Sequence, residues 1–390
     1  MNYLIAISRL LPFVLLGVFF SCGQSNSSQE ESAALTDQNA DPDFFLYLVN
    51  IDQLRLRKEP TLSATDVQKI PQGSILFGEG VKSGKTVQLE LDGTLHTAPF
   101  YEVSDASGTK GWAFGGSLSA LYRGQSDEKP DVNRISECAA YLNSLDPKDF
   151  NSGGKAWAFL EEKFSDVNGS LADAIFVAME TFMHRVERKS GLEDITTAGR
   201  FSAAEVEAIF TNSFDPAGNS FAIALAANGF RLVAAEGLIF AVPDLRKFQE
   251  FFSPRVSHPM QRYLNQRTSE QRAPMLAKGK ITVNLANLAD LAVFWEKFNR
   301  EYPKFLKSDE THASEHWYRN TVLRGTDKMP LFNPANNQVN MDYRLVWVYV
   351  QNELSGTETE SLVSQMVQLC QENDWTRNKK IDDFLAKLQD

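Results

Sequence analysis

The chain has 390 residues and a formal net charge of −11, from 39 Lys and Arg against 50 Asp and Glu. It is 43% hydrophobic and 23% charged, the balance of a globular protein and not of a disordered one. The acidic excess argues against a partner of nucleic acid, which calls for a basic face. With 3 Cys and 5 His, a disulfide-built scaffold and a four-thiolate zinc site are excluded, and little material is left for a histidine-rich metal centre.

Residues 1–21 hold no acid and a single base, Arg9. Residues 10–20 read LLPFVLLGVFF. This run is too short to span a bilayer, which takes about 20 apolar residues, but suits the core of a secretory signal. Ser21, Cys22 and Gly23 follow at once. Small residues flanking a cysteine at the end of such a run resemble the lipobox of bacterial lipoproteins. Phe19 stands where that pattern usually has Leu. The resemblance implies a signal peptide over residues 1–21, cut before Cys22, and acylation of Cys22 as a membrane anchor, with palmitate among its chains. Residues 22–43 then read as a flexible acidic tether. From residue 23 to 43 the segment is polar, holds no Lys or Arg, and lacks the apolar surface needed to fold. As a coil it reaches roughly 25 Å r.m.s..

From residue 44 to 123 short alternating runs predict strands. Leu54-Arg55-Leu56-Arg57 alternates apolar and basic. Pro71-Gln72-Gly73 turns the chain before Ile75-Leu76-Phe77, and Val87, Leu89 and Leu91 alternate up to the turn signal Asp92-Gly93. Phe100 to Val103 forms another strand, and Gly111 to Leu118 closes the series. Short strands with frequent turn signals predict a small barrel or sandwich. Three pieces resemble the bacterial SH3 domain: LRLRKEPTLSA at 54–64, IPQGSIL at 70–76 and GTKGWAFGGSL at 108–118. The last is the most specific. The segment between Val81 and Glu102 is longer than that family's, and Phe100-Tyr101 stands where it usually has Trp. The resemblance implies a barrel of about five to seven strands that targets cell-wall material or a peptide without catalysis of its own. It makes Phe100, Tyr101, Trp112 and Phe114 candidate ligand contacts. Their alternative role is the barrel core, with Trp112 and Phe114 on one face by parity.

Residues 125–131 (QSDEKPD) form a polar linker, at which the barrel and the following region are expected to separate. Beyond it the apolar period changes to 3.6 over residues 131–390, predicting a helical domain of about eight to ten helices. Ser170 with Asp173, Ser202 with Glu205 and Thr357 with Glu360 have the spacing of helix starts. The stripe at 341–350 reads as helix or strand. Residues 230–233 and 238–242 flank a Gly237 turn and predict one β-hairpin. The expected fold class is thus α+β and multidomain: a small SH3-like barrel, then a mostly helical domain with one hairpin.

Catalytic patterns are incomplete. His312, Glu315 and His316 fit the H-x-x-E-H zinc-peptidase spacing, but no third ligand has a recognisable context. In residues 80–86 the position that needs the first glycine of a phosphate loop is Glu79. Ser152 and Lys155 have S-x-x-K spacing without its partner motifs. Residues 166–170 begin like a calcium loop that Leu171 and Val177 then break. Cys138 and Cys370 lack the neighbours of a wall-cutting nucleophile, and are expected to be two separate buried thiols, the alternative being a bridge between them that an oxidising compartment allows. These observations point to a non-enzymatic binding or scaffold protein of the cell envelope, without a cofactor or metal. It is expected at the outer membrane or cell surface, held in the membrane by Cys22. Its partners would be peptidoglycan, an envelope protein or a peptide. The rival reading is an envelope hydrolase with an unfamiliar site in the helical domain.

Overall fold

The computed structural model describes residues 43–388, apart from 92, 197–198, 212, 236, 273–275, 278–279 and 282. The signal segment, Cys22 and the tether up to residue 42 lie outside the described residues. The first seven strands are β1 (Phe44–Val49), β2 (Leu54–Arg57), β3 (Asp66–Ile70), β4 (Ile75–Leu91), β5 (Thr94–Ser104), β6 (Lys110–Phe114) and β7 (Leu118–Gly124). They form one antiparallel sheet in the order β3-β2-β6-β5-β4-β1-β7. The expected closed barrel is therefore corrected to a sheet whose ladder stays open between β3 and β7 among the described residues. The inner side is nevertheless a single core. Tyr47, Val49, Leu54, Leu56, Ile70, Leu76, Val103 and Ala113 meet in one cluster, drawn from β1 to β6.

β1 explains how the sheet joins the rest. Its sequence FFLYLV is apolar without alternation, as a strand covered on both faces should be. Tyr47 and Val49 enter the inner cluster, while Leu46 and Leu48 face the helices. The extra length between Val81 and Glu102 is a long β4–β5 hairpin, with register shifts between Gly78 and Lys82 and between Lys82 and Thr86. The phosphate-loop lookalike at residues 80–86 falls on these irregularities, inside a strand. Gly80 has φ +73° there, and a Cβ on it would lie 2.8 Å from the Phe45 ring.

The remaining chain carries twelve described α-helices, more than expected. They are α1 (Val132–Ser144), α2 (Ser152–Lys163), α3 (Gly169–Lys189), α4 (Ala203–Phe210), α5 (Ser220–Ala227), α6 (Leu245–Phe252), α7 (His258–Arg272), α8 (Leu285–Glu301), α9 (Ser308–Arg324), α10 (Met341–Glu353), α11 (Glu358–Gln371) and α12 (Lys379–Lys387). The expected hairpin is β8 (Phe230–Ala235) with β9 (Leu238–Pro243). Two more exist, β10 (Leu276–Ala277) with β11 (Lys280–Ile281) and β12 (Gly325–Thr326) with β13 (Met329–Pro330). Two-residue strands leave no alternation to read. The capping box at Ser202 and Glu205 is present, and Thr357 Oγ1 accepts the Glu360 N–H at 3.0 Å. Ser170 does not cap: α3 begins at Gly169, and Asp173 is buried elsewhere.

α3 is the hub. From Ala172 to Glu180 every residue is buried, the pattern of a helix covered all round. Leu46, Leu48, Ile75, Leu121 and Tyr122 of the sheet share one apolar core with α1, α2 and α3. The linker at 125–131 is thus a covalent boundary without a gap in packing, and sheet and helices belong to one compact unit. Each fully buried aliphatic side chain contributes about 1.5–3 kcal/mol. Uncovering the four aliphatic ones would cost on the order of 10 kcal/mol, comparable with a whole domain's stability. We therefore expect one unfolding transition, coincident by sheet and helix probes, in place of separable domains. Two resolved transitions, or a folded fragment released by cleavage at 125–131, would contradict the shared core.

Candidate functional site

The four candidate aromatics lie on β5 and β6, whose register fixes their faces. Phe100 opposes Phe114, Tyr101 opposes Ala113, Glu102 opposes Trp112, and Ser104 opposes Lys110. Directly opposed residues share a face. Tyr101 turns inward and packs on Tyr47 with ring centroids 5.6 Å apart. Burial raises its phenol pKa, helped by the charge of Asp309. Phe100 and Phe114 lie on the outer face but close on each other, edge to face at 5.9 Å. They are 1% and 3% exposed, so both are packing residues and not an open groove. The structure does not bring the four aromatics together at one surface.

Trp112 differs. It is half-buried, meets no other ring among the described residues, and its indole N–H has no acceptor there. On one side it opposes Arg57 of β2. Arg57 is occupied: its Nη1 donates to the Ala64 carbonyl at 2.8 Å and lies 3.4 Å from Asp66 Oδ1. These contacts hold the loop after β2 beside Trp112. On the other side stands Glu102, half-buried, without an ion pair or hydrogen bond to any described residue. Sequence reasoning missed Glu102. Its position opposite Trp112 depends on strand register, which the lengthened hairpin hid.

The other motifs disperse. His312 is exposed, with Nδ1 2.8 Å from the Ser308 carbonyl. Glu315 is buried, accepting from Asn299 at 2.6 Å and pairing with Arg319 at 3.1 Å, while His316 bonds Asn320. Among the described residues no group of three or more His, Cys, Asp or Glu is placed to hold a metal ion. Ser152 Oγ donates to the Asp146 carbonyl at 2.7 Å, and Lys155 pairs with Asp149 at 3.4 Å. The two glycines between them serve packing: a Cβ on Gly154 would stand 2.5 Å from Asn228 Oδ1. Cys138 and Cys370 are separate buried thiols. Burial pushes the Cys138 thiol far up and Cys370 to about 11, so neither supplies a thiolate near neutral pH.

The most charged interior lies where α3, α7 and α9 meet, and it too escaped the sequence reading. Lys307 Nζ contacts Glu180 Oε2 at 2.5 Å and Glu310 Oε2 at 3.0 Å. Arg267 pairs with Glu270 at 2.9 Å and Glu310 at 3.3 Å, and donates to Ser314 Oγ at 2.6 Å. Tyr263 O–H donates to Glu310 at 2.5 Å, and the Trp295 indole donates to Glu270 at 3.0 Å. Burial alone would lower the Lys307 ammonium, but Glu180 and Glu310 hold it well above its ordinary value. Burial alone would raise Glu310, but Lys307 and Arg267 hold it well below. The cluster ties helices together through ion pairs in which two cations are shared among three carboxylates. The i,i+3 pairs Arg267/Glu270 and Lys307/Glu310 were its only local signal.

No described helix is long and apolar enough to cross a membrane. The chain matches no protein-family model, no curated protein and no solved structure.

Proposed function

We propose that this chain is a lipid-anchored cell-envelope protein that works as a non-enzymatic binding module. In this reading Cys22 carries the lipid, and the SH3-like open sheet of β1 to β7 recognises cell-wall material or a peptide. The helical region holds a protein partner. The inner cluster shared by six strands supports the SH3-like reading. The observation that carries the binding role is Trp112: a large aromatic on the outer face, bordered by Arg57 and Glu102, without a ring to pack on or an acceptor for its N–H among the described residues. Such a side chain offers a stacking face and a donor to a ligand. A buried core Trp offers neither.

Binding of the purified protein to isolated wall material tests this. Trp112→Ala is expected to weaken binding by roughly 5- to 150-fold, the loss of about 1–3 kcal/mol. Because the ring is partly buried, its truncation also removes packing, so the melting curve is taken with the binding curve and the affinity is read on folded protein. Unchanged affinity in a folded Trp112→Ala protein would remove this face from the account.

A further inference from the structure

We infer that Glu102 and Trp112 form a subsite for a primary ammonium group carried on an extended peptide. The inference rests on the wall- or peptide-binding reading above and names the chemistry of the ligand. The two residues are direct cross-strand neighbours, so their Cβ atoms stand about 4.5–5.5 Å apart on one face. That spacing lets one cation touch the indole face and the carboxylate together. A cation over Trp is attracted by the ring quadrupole, and the carboxylate adds a charge-assisted hydrogen bond.

The chain leaves this place to a ligand. Arg57, the cation nearest along the row, is tied to Asp66 and to the Ala64 carbonyl. Lys110 lies one pair along the same face, exposed, and makes no ion pair with Glu102 among the described residues. Glu102 is therefore a partly buried residue beside a partly exposed indole, with no cation paired to it among the described residues. The next pair on that face, Phe100 with Phe114, is closed. The loop after β2 borders the other side. An extended peptide lying along β6 would present one side chain to this pair, and a positive end complements it.

The test compares binding of the full protein to isolated wall material before and after acetylation of its free amines. The parent should lose about 10-fold on acetylated material, the scale of one solvent-accessible charged contact. Glu102→Gln keeps shape and removes charge. It should bind untreated material about 10-fold more weakly than the parent, with an unchanged melting curve, and be insensitive to acetylation. Equal parent binding to both materials, or parent-like binding by Glu102→Gln, overturns the inference. If Trp112→Ala weakens binding while acetylation changes nothing, the wall-binding reading stands and the ammonium subsite falls. If the parent binds neither material, both fall.

Discussion

Replacing Lys307 with methionine is expected to destabilise the protein by about 3–5 kcal/mol, the usual result of breaking a buried ion pair from one side. The loss falls on Glu180. Its carboxylate is buried on α3, and Lys307 is its one ion-pair partner among the described residues. Glu310 keeps Arg267 and Tyr263, so it suffers less. The double variant Glu180→Gln, Lys307→Met removes both charges and should recover a large part of the loss, because a neutral pair no longer carries the desolvation of an unmatched ion. Denaturant unfolding of the three variants measures this. A Lys307→Met protein as stable as the parent would mean that water reaches Glu180, and that the cluster is not the closed joint between α3 and α9 described above.

How much of this was legible in the sequence depends on how local each signal is. Strands β2 and β6 and the β8–β9 hairpin stand where alternation and turn residues put them. Parity placed Trp112 and Phe114 on one face, which the register bears out. Parity does not say what covers a face, so it could not tell that Phe100 closes over Phe114 while Trp112 stays partly exposed. The stripe at 341–350 was ambiguous for a physical reason. In α10, Tyr343, Val346, Trp347 and Val350 face the core, while Met341, Leu345 and Val348 are 62%, 63% and 54% exposed on the opposite side. Apolar residues on both sides of a helix blur its period towards that of a strand. The charged cluster draws on residues from 180 to 314, and only tertiary packing assembles it. Sheet and helices read as separable because a polar linker is visible locally, whereas the burial of Leu46 and Leu121 against helices is not.

Asp173 was misread as a local helix-start residue, and its true position predicts a pH effect of its own. It projects from α3 into the interior, where its carboxylate accepts the Ser257 N–H at 2.9 Å, just ahead of α7. Burial raises its pKa from the ordinary 3.8 to about 6, against a smaller lowering by the Ser257 hydrogen bonds. The sign follows from linkage. The folded state holds this proton more tightly than the unfolded chain, so the stability it contributes is complete below 3.8 and is lost as pH rises through about 6. A shift of this size corresponds to about 3 kcal/mol at most. Asp173→Asn keeps an oxygen for the Ser257 N–H and never ionises. It should match the parent near pH 4, then exceed it by about 1–3 kcal/mol above pH 7. The measurement is the difference in unfolding free energy between the two proteins across that range. A difference that stays flat with pH, or an Asn variant less stable at high pH, would show that the folded protein accommodates the charged carboxylate and that burial at the α3–α7 joint does not set its proton affinity.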